Sequence, residues 1–231
     1  MAFNWTELIP QVGHNEDKVA IATFAITSVV LLFVGFAGRK ALGKGDEAVT
    51  PAGKFSLRGI LELITEFVTN LVDTVIGEHG RHFVPMFTAV FFFIFMNNLV
   101  GVIPGMTPAT ENINTTFAMG FFMFLTYNFL GIKENGIINY LKHFMGPVVF
   151  LAPLMFVIEL VSHMVRPFSL GLRLANVMMG DHTVVGVFLD LIPIGAPIPF
   201  YMMGLFVAFV QAFVFTLLSM VYVAFSTAHD H

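Results

Sequence analysis

The chain has no cysteine, which removes disulfides, cysteine-ligated metals and thiol nucleophiles from consideration. Charge is also scarce. Only 11% of its 231 residues are Asp, Glu, Lys or Arg, against about 25% in a soluble globular domain. A net charge of -4 supplies no basic surface and argues against nucleic acid as a partner. No GxSxG, HExxH or paired-aspartate motif lies in the apolar stretches, so an intramembrane hydrolase is disfavoured. The N-terminal MAFNWTELIPQVGHNEDK is polar and acidic, and reads as neither a signal peptide nor a transit peptide. What is present is apolar: 57% hydrophobic residues, 28 of the total being Phe, with a mean hydropathy of +0.84. The phenylalanines read as lipid-facing or packing residues, and no motif calls for a cofactor. Several apolar runs reach the roughly 20 residues needed to cross a bilayer. An all-α, polytopic membrane protein follows, with the lipid bilayer as its solvent.

A single membrane domain, 1–231, is expected. An external N-terminal segment, 1–18, precedes a first span at 19–38, and a Gly- and Lys-rich linker comes next. Over 55–77, Arg58, Glu62, Glu66, Thr69 and Asp73 step by three or four along one side. Ile60, Leu61, Ile64, Phe67, Leu71 and Val75 fill the other. That spacing predicts an amphipathic helix lying on the membrane or a partner. A helical bundle is expected over 83–228. Its first span, about 83–104, is stopped by Pro104 and Gly105, and another lies at 116–132. The polar GIKENGIINYLKH follows as a connection, and two long elements, 146–191 and 199–226, finish the chain. The stretch 146–191 is too long for one perpendicular span, so it is either strongly tilted or broken near Pro167 and Gly171. Five crossings result. Arg39, Lys40, Lys44, Lys54, Arg58 and Arg81 fall between the first two spans, Lys133 and Lys142 follow the third, and only Lys18 lies opposite. The positive-inside rule then puts the N-terminus outside and the C-terminus in the cytoplasm.

Within this apolar background the segment RPFSLGLRLANVMMGDH, 166–182, is anomalous. On an ideal helix Glu159, Ser162, His163, Arg166, Ser169 and Arg173 share one face, with Asp181 near it and His182 off it. Arginine cannot shed its charge, and a charge at bilayer depth costs roughly 3 kcal/mol even on insertion scales. Glu159 lies roughly 21 Å and Asp181 roughly 12 Å from Arg173 along the axis, so neither neutralises it. Its counter-charge is expected on another subunit or on a transported anion. Glu159, His163, Asp181 and His182 can relay protons, and a fixed cation between them would separate two proton paths. Gln211 lies on a stretch with the small residues Gly204, Ala208, Ala212 and Ser219, suited to close helix approach. Asn97 and Asn98 read as interface hydrogen-bonding residues, and Glu78, His79 and His82 as interfacial groups.

FSLGLRLANVMMGDH, with IEL fourteen residues before its arginine and QAFVFTLLSMVYVAFS after it, resembles subunit a of F-type ATP synthases. NNLVGVIPG is similar to that family's Asn-Leu...Pro-Gly segment, and the likeness covers roughly 55–228. The resemblance implies a non-catalytic stator in the bacterial inner membrane that forms two ion half-channels, most naturally for protons. Its implied partners are a rotating ring of c subunits, the b subunits of the peripheral stalk and the remaining ATP synthase subunits. It also implies that the last two helices are strongly tilted. Carried over residue by residue, Arg173 matches the arginine facing the ring carboxylate and Gln211 the glutamine that approaches it. Glu159 and His182 match positions near the two half-channels. Two departures stand out. Relatives read Arg-Leu-x-x-Asn, whereas Asn176 comes one residue early and Val177 holds the asparagine place. Relatives also carry a titratable residue where this chain has Gly204, which leaves the outer half-channel to water, Asp181 or Asp190. The alternative is a stand-alone secondary transporter of an anion that pairs with Arg173. Such transporters often carry inverted repeats, and none is visible here.

Overall fold

A computed structural model describes residues 16–41, 56–143, 152–191 and 197–227. Most of the external N-terminal segment, most of the linker after the first span, residues 146–151 of the first long element, residues 192–196 between the two long elements, the C-terminal HDH and the side chain of Asp190 lie outside the described residues. Among the described residues six helices follow one another: α1 Glu16–Ala41, α2 Leu57–Val75, α3 Val84–Val100, α4 Ile113–His143, α5 Ala152–Leu191 and α6 Pro197–Thr227. Two 3-10 turns, Glu78–Phe83 and Ala109–Glu111, lead into α3 and α4. Among the described residues five segments are long and apolar enough to cross a membrane: Asp17–Lys40, Glu78–Val100, Ile113–Ile137, Pro153–Leu189 and Ile198–Thr227.

The remaining helix, α2, opens with a side-chain cap. The Ser56 hydroxyl accepts from the Gly59 amide at 3.2 Å, satisfying one of the first-turn donors that no helical carbonyl reaches. It ends at Val75, and two residues on Gly77, with φ of +92° and ψ of 178°, takes a conformation open essentially to glycine alone. Val68 and Val72 are fully buried, with Ile64, Phe67, Leu71 and Val75 packed around them. The apolar side of α2 therefore rests against α3 and α6 of its own chain. Ile60 departs from the sequence pattern and is exposed, as is Leu63 beside it on the outer side of the helix. The Phe67 ring meets Phe91, Phe209 and Phe213 at centroid distances of 5.9, 6.0 and 5.9 Å, within the range where aromatic pairs attract. Phe91 is thus a core residue, 1% exposed, and not a lipid-facing one.

The polar stretch expected to be a connection after 132 is helical instead. Ile132 to Asn135 continue α4, and only Gly136 (φ 75°, ψ 157°) breaks the helical path before His143. Polarity misled here because Lys, Glu and Asn at a helix end need only water, not a loop. The tie at this level is Asn135, whose amide donates to the Ser226 carbonyl of α6 at 2.9 Å.

The 40 residues of α5 form one helix straight through Pro167 and Gly171. Of the two alternatives for this stretch, the unbroken one is observed over the described residues 152–191. At 1.5 Å per residue α5 is about 60 Å long, twice the roughly 30 Å hydrocarbon core. It is clamped to α4 by backbone contact: a Cβ on Gly120 would sit 2.5 Å from the Pro167 carbonyl oxygen, and one on Gly171 would sit 2.9 Å from that of Thr116. Small residues of this kind let membrane helices approach closely. Gly120→Val is therefore expected to destabilise the fold by about 1–3 kcal/mol, the usual cost of overpacking. The readout is loss of the chain from purified, heat-challenged membranes, with Gly35→Val as control, since nothing lies within 4 Å of a Cβ there.

Candidate functional site

The charged arc of α5 straddles the edge of the bundle. Advancing 100° per residue, His163, Leu170 and Leu174 lie on one shoulder and are buried, while Ser162, Ser169 and Arg173 lie on the other and are exposed. The shared face seen in sequence therefore divides between two environments. Beside the exposed shoulder runs an uncovered apolar stripe of Leu154, Val157, Ile158, Val161, Val165, Phe168 and Leu172.

On the buried shoulder, the His163 Nε2 lies 2.8 Å from Asn128 Oδ1, which also accepts from the Tyr140 hydroxyl at 2.9 Å. The Asn128 amide nitrogen is committed to the Phe124 carbonyl at 2.7 Å. Its oxygen thus faces the imidazole, and Nε2 is the protonated nitrogen. Rings of Phe124 and Tyr127, each 5.2 Å away by centroid, enclose it. One turn on, Arg166 donates to Glu159 Oε1 at 2.8 Å and lies 5.5 Å above the Tyr222 ring, a cation–π distance. Glu159 and Arg166 thereby neutralise each other.

Arg173 is different. It is exposed, and among the described residues it takes part in no ion pair and no side-chain hydrogen bond. No hydrogen bond joins it to Gln211, which is 5% exposed and whose Nε2 is a buried donor without an acceptor. Asn176 and Val177 both lie on exposed positions.

Two turns further along α5, Asp181 and His182 point to different neighbours. A Cβ on Gly204 of α6 would lie 2.8 Å from Asp181 Oδ2, so the carboxylate occupies the space that a side chain at 204 would fill. The other oxygen, Oδ1, is buried with no hydrogen-bond partner. His182 turns toward the α3–α4 loop. Its Nε2 meets the Gly101 carbonyl at 2.8 Å, and its Nδ1 meets Glu111 Oε2 at 3.0 Å. The ring reaches that carbonyl because residue 101 has no side chain: a Cβ there would lie 3.0 Å from Nε2. The loop is held by Asn98, which accepts from Thr110 at 2.7 Å and donates to the Ala208 carbonyl of α6 at 3.3 Å. Asn97 bonds within its own helix, to the Phe93 carbonyl at 2.8 Å.

Sequence reasoning passed over Glu111, Asn128 and Tyr140. Glu111 sits in a polar loop, and no periodic pattern ties a loop residue to one seventy positions away. Asn128 and Tyr140 were readable only as polar groups in an apolar helix, a signal that calls for a partner without naming it. At the opposite end of the bundle, Arg81 forms a two-point contact with Asp73, 2.9 Å at each oxygen. That hydrogen bonding holds the Asp73 carboxyl below its ordinary range. His82 stands 3.8 Å from Glu134, and among the described residues no cluster suits a metal.

Residues 19–224 match the family described as ATP synthase A chain. The chain belongs to that family. It is 71% identical over 231 residues, all of both chains, to ATP synthase subunit a of Bdellovibrio bacteriovorus. It is 42% identical over 220 residues to the subunit a of Trichlorobacter lovleyi, covering 94% of this chain and 92% of that one. With ATP synthase subunit a 1 of Pelobacter propionicus the identity is 40% over 212 residues, 92% and 89% of the two chains. Family membership and the apolar helices make this a bacterial membrane protein associated with other ATP synthase subunits. Nothing among the relatives supports the stand-alone anion transporter.

Proposed function

We propose that this chain is the non-catalytic stator through which protons reach and leave a rotating ring of c subunits. The observation that carries the reading is Arg173: an exposed guanidinium, beside an uncovered apolar stripe of α5, with no anionic partner among the described residues. A permanent cation in that position calls for a counter-charge, and a ring carboxylate carried past α5 supplies it. The stripe from Leu154 to Leu172 is then the surface beside the ring. A helix of this length lies strongly tilted along it, and the b subunits of the peripheral stalk hold the stator in place.

Two half-channels separated by Arg173 complete the device. Lys and Arg placement along the chain puts the N-terminus and the α3–α4 loop outside, and the C-terminus in the cytoplasm. Asp181 and His182 then belong to the outer path, and Glu159 with His163 to the inner one. Imidazoles and carboxylates exchange protons, which suits H⁺ as the ion. Gln211, buried with a free amide donor, is a neutral polar group available to a side chain or water behind Arg173, and Asn176 borders the ring side. Asp181 takes over, from α5, the space left by Gly204.

Because the chain lacks cysteine, single-cysteine crosslinking tests the docking face directly. Leu172→Cys is expected to crosslink to the c subunit in the assembled complex, while Phe33→Cys, on an exposed face of α1, is not. Efficient crosslinking from Phe33 alone would place the ring elsewhere. In the proton path, His182→Leu is expected to lower ATP-driven pumping at least about tenfold. The exposed change Phe129→Leu is expected to leave it near normal, and equal effects would remove His182 from the path.

A further inference from the structure

We propose that Glu111 is a proton-exchanging residue of the outer half-channel, forming with His182 a pair that shares one proton. The inference rests on the reading of His182 as part of that path.

The geometry fixes the chemistry. The Gly101 carbonyl can only accept a hydrogen bond, so at 2.8 Å it commits His182 Nε2 to carrying hydrogen. The remaining nitrogen, Nδ1, faces Glu111 Oε2 at 3.0 Å. If the imidazole is neutral and Glu111 ionised, two lone pairs oppose each other and the buried Oε2 has no donor. That arrangement is unfavourable for a buried polar atom. One proton between Nδ1 and Oε2 removes the conflict, whether it is written as imidazolium with carboxylate or as imidazole with carboxylic acid. Because Nε2 is held by a backbone carbonyl, His182 takes up and releases protons through Nδ1, the side that Glu111 covers. A proton arriving from the loop side is therefore exchanged at Glu111 before it moves inward. In this step a proton on the carboxyl transfers to Nδ1, the imidazolium gives one proton to water on the inner side, and the carboxylate regains a proton from a hydronium ion on the outer side, so that the pair again holds one.

Several features on other elements support the assignment. Glu111 lies in a 3-10 turn whose preceding residue, Thr110, is fully buried and bonded to Asn98 of α3, so the carboxylate is held in place. Its side chain is 26% exposed, enough to meet water. Other ionisable groups nearby are Asp181, the neighbour of His182 on α5 and facing Gly204 of α6, and Asp17 of α1, which accepts from the adjacent Asn112 at 3.0 Å.

The test uses the assembled ATP synthase in membrane vesicles, with subunit content measured first and ATP-driven proton pumping as readout. Glu111→Gln keeps the size of the side chain and a donor for Nδ1 but cannot exchange a proton. It is expected to lower pumping at least about tenfold, as Glu111→Ala does, with partial recovery in Glu111→Asp. A merely structural strap predicts the opposite pattern, with Glu111→Gln near normal and Glu111→Ala impaired, and that result overturns the proposal. The exchanged double variant Glu111→His/His182→Glu is an independent check. Pumping above both single variants supports a shared proton, and pumping no better than either counts against it. Should His182→Leu pump normally, the underlying path is wrong. An impaired His182→Leu beside a normal Glu111→Gln defeats the present inference alone.

Discussion

Arg173→Ala is expected to reduce ATP-driven proton pumping to background in inverted membrane vesicles while leaving the complex assembled. The reason is electrostatic. A carboxylate on the ring releases its proton when an opposite charge favours the ionised form, and a cation within about 4–6 Å lowers a carboxyl pKa by about 1–3 units. Arg173 has no competing anion among the described residues, so its full charge is available to that encounter. Without it, a protonated ring carboxyl can swing back and forth between the half-channels, and protons leak without net rotation of the ring. Roughly 2.3 kcal/mol per charge for each 100 mV of membrane potential is then dissipated. Arg173→Lys is expected to lose most pumping as well, because lysine sheds its proton readily when desolvated whereas arginine does not. The checking measurement pairs the pumping assay with ATP hydrolysis and with subunit content. Near-normal coupled pumping by assembled Arg173→Ala would sink the central reading.

Much of this architecture was legible from spacing alone. Apolar runs mark the spans because an unpaired backbone cannot enter lipid, so a crossing segment must be both apolar and helical. The i, i+3, i+4 pattern of α2 identified an amphipathic helix, though not that its apolar side packs on α3 and α6 rather than on the membrane or a partner. Counting residues around Arg173 showed that its own helix could not neutralise it. Sequence spacing failed where the answer depends on what stands opposite. An ideal helical wheel placed His163 and Arg173 together, but it could not show that the bundle edge runs between them. Pro167 offered a place to break α5, and tertiary contact with Gly120 holds the helix through it. Glu111 carried no local signal at all; only the folding of the α3–α4 loop over His182 gives it a partner. Gly204 was visible as a gap in the family pattern, but its filling by Asp181 required the packing of α6 on α5.

That filling leads to the second large effect. Gly204→Leu is expected to lower pumping at least about tenfold, as far as Asp181→Asn does. The space above residue 204 is already taken: a Cβ there meets Asp181 Oδ2 at 2.8 Å and the carboxyl carbon at 3.6 Å. An aspartate side chain is short, so the clash is relieved only by swinging the carboxylate away or by parting α5 and α6. On the proposed reading of Asp181, either movement takes a proton-exchanging group out of the outer path. The two substitutions act on one carboxylate, so their effects should not add. The double variant Asp181→Asn/Gly204→Leu is expected to pump about as well as the worse single variant. Multiplied losses in the double variant would mean that Gly204 acts through helix packing alone. A normal Gly204→Leu would mean that Asp181 reaches its proton from another direction. Gly204→Ala makes the distinction finer, since one methyl displaces the carboxylate without the bulk to separate the helices. A loss of pumping there, with the heat stability of the complex unchanged, would tie the effect to the position of the Asp181 carboxylate.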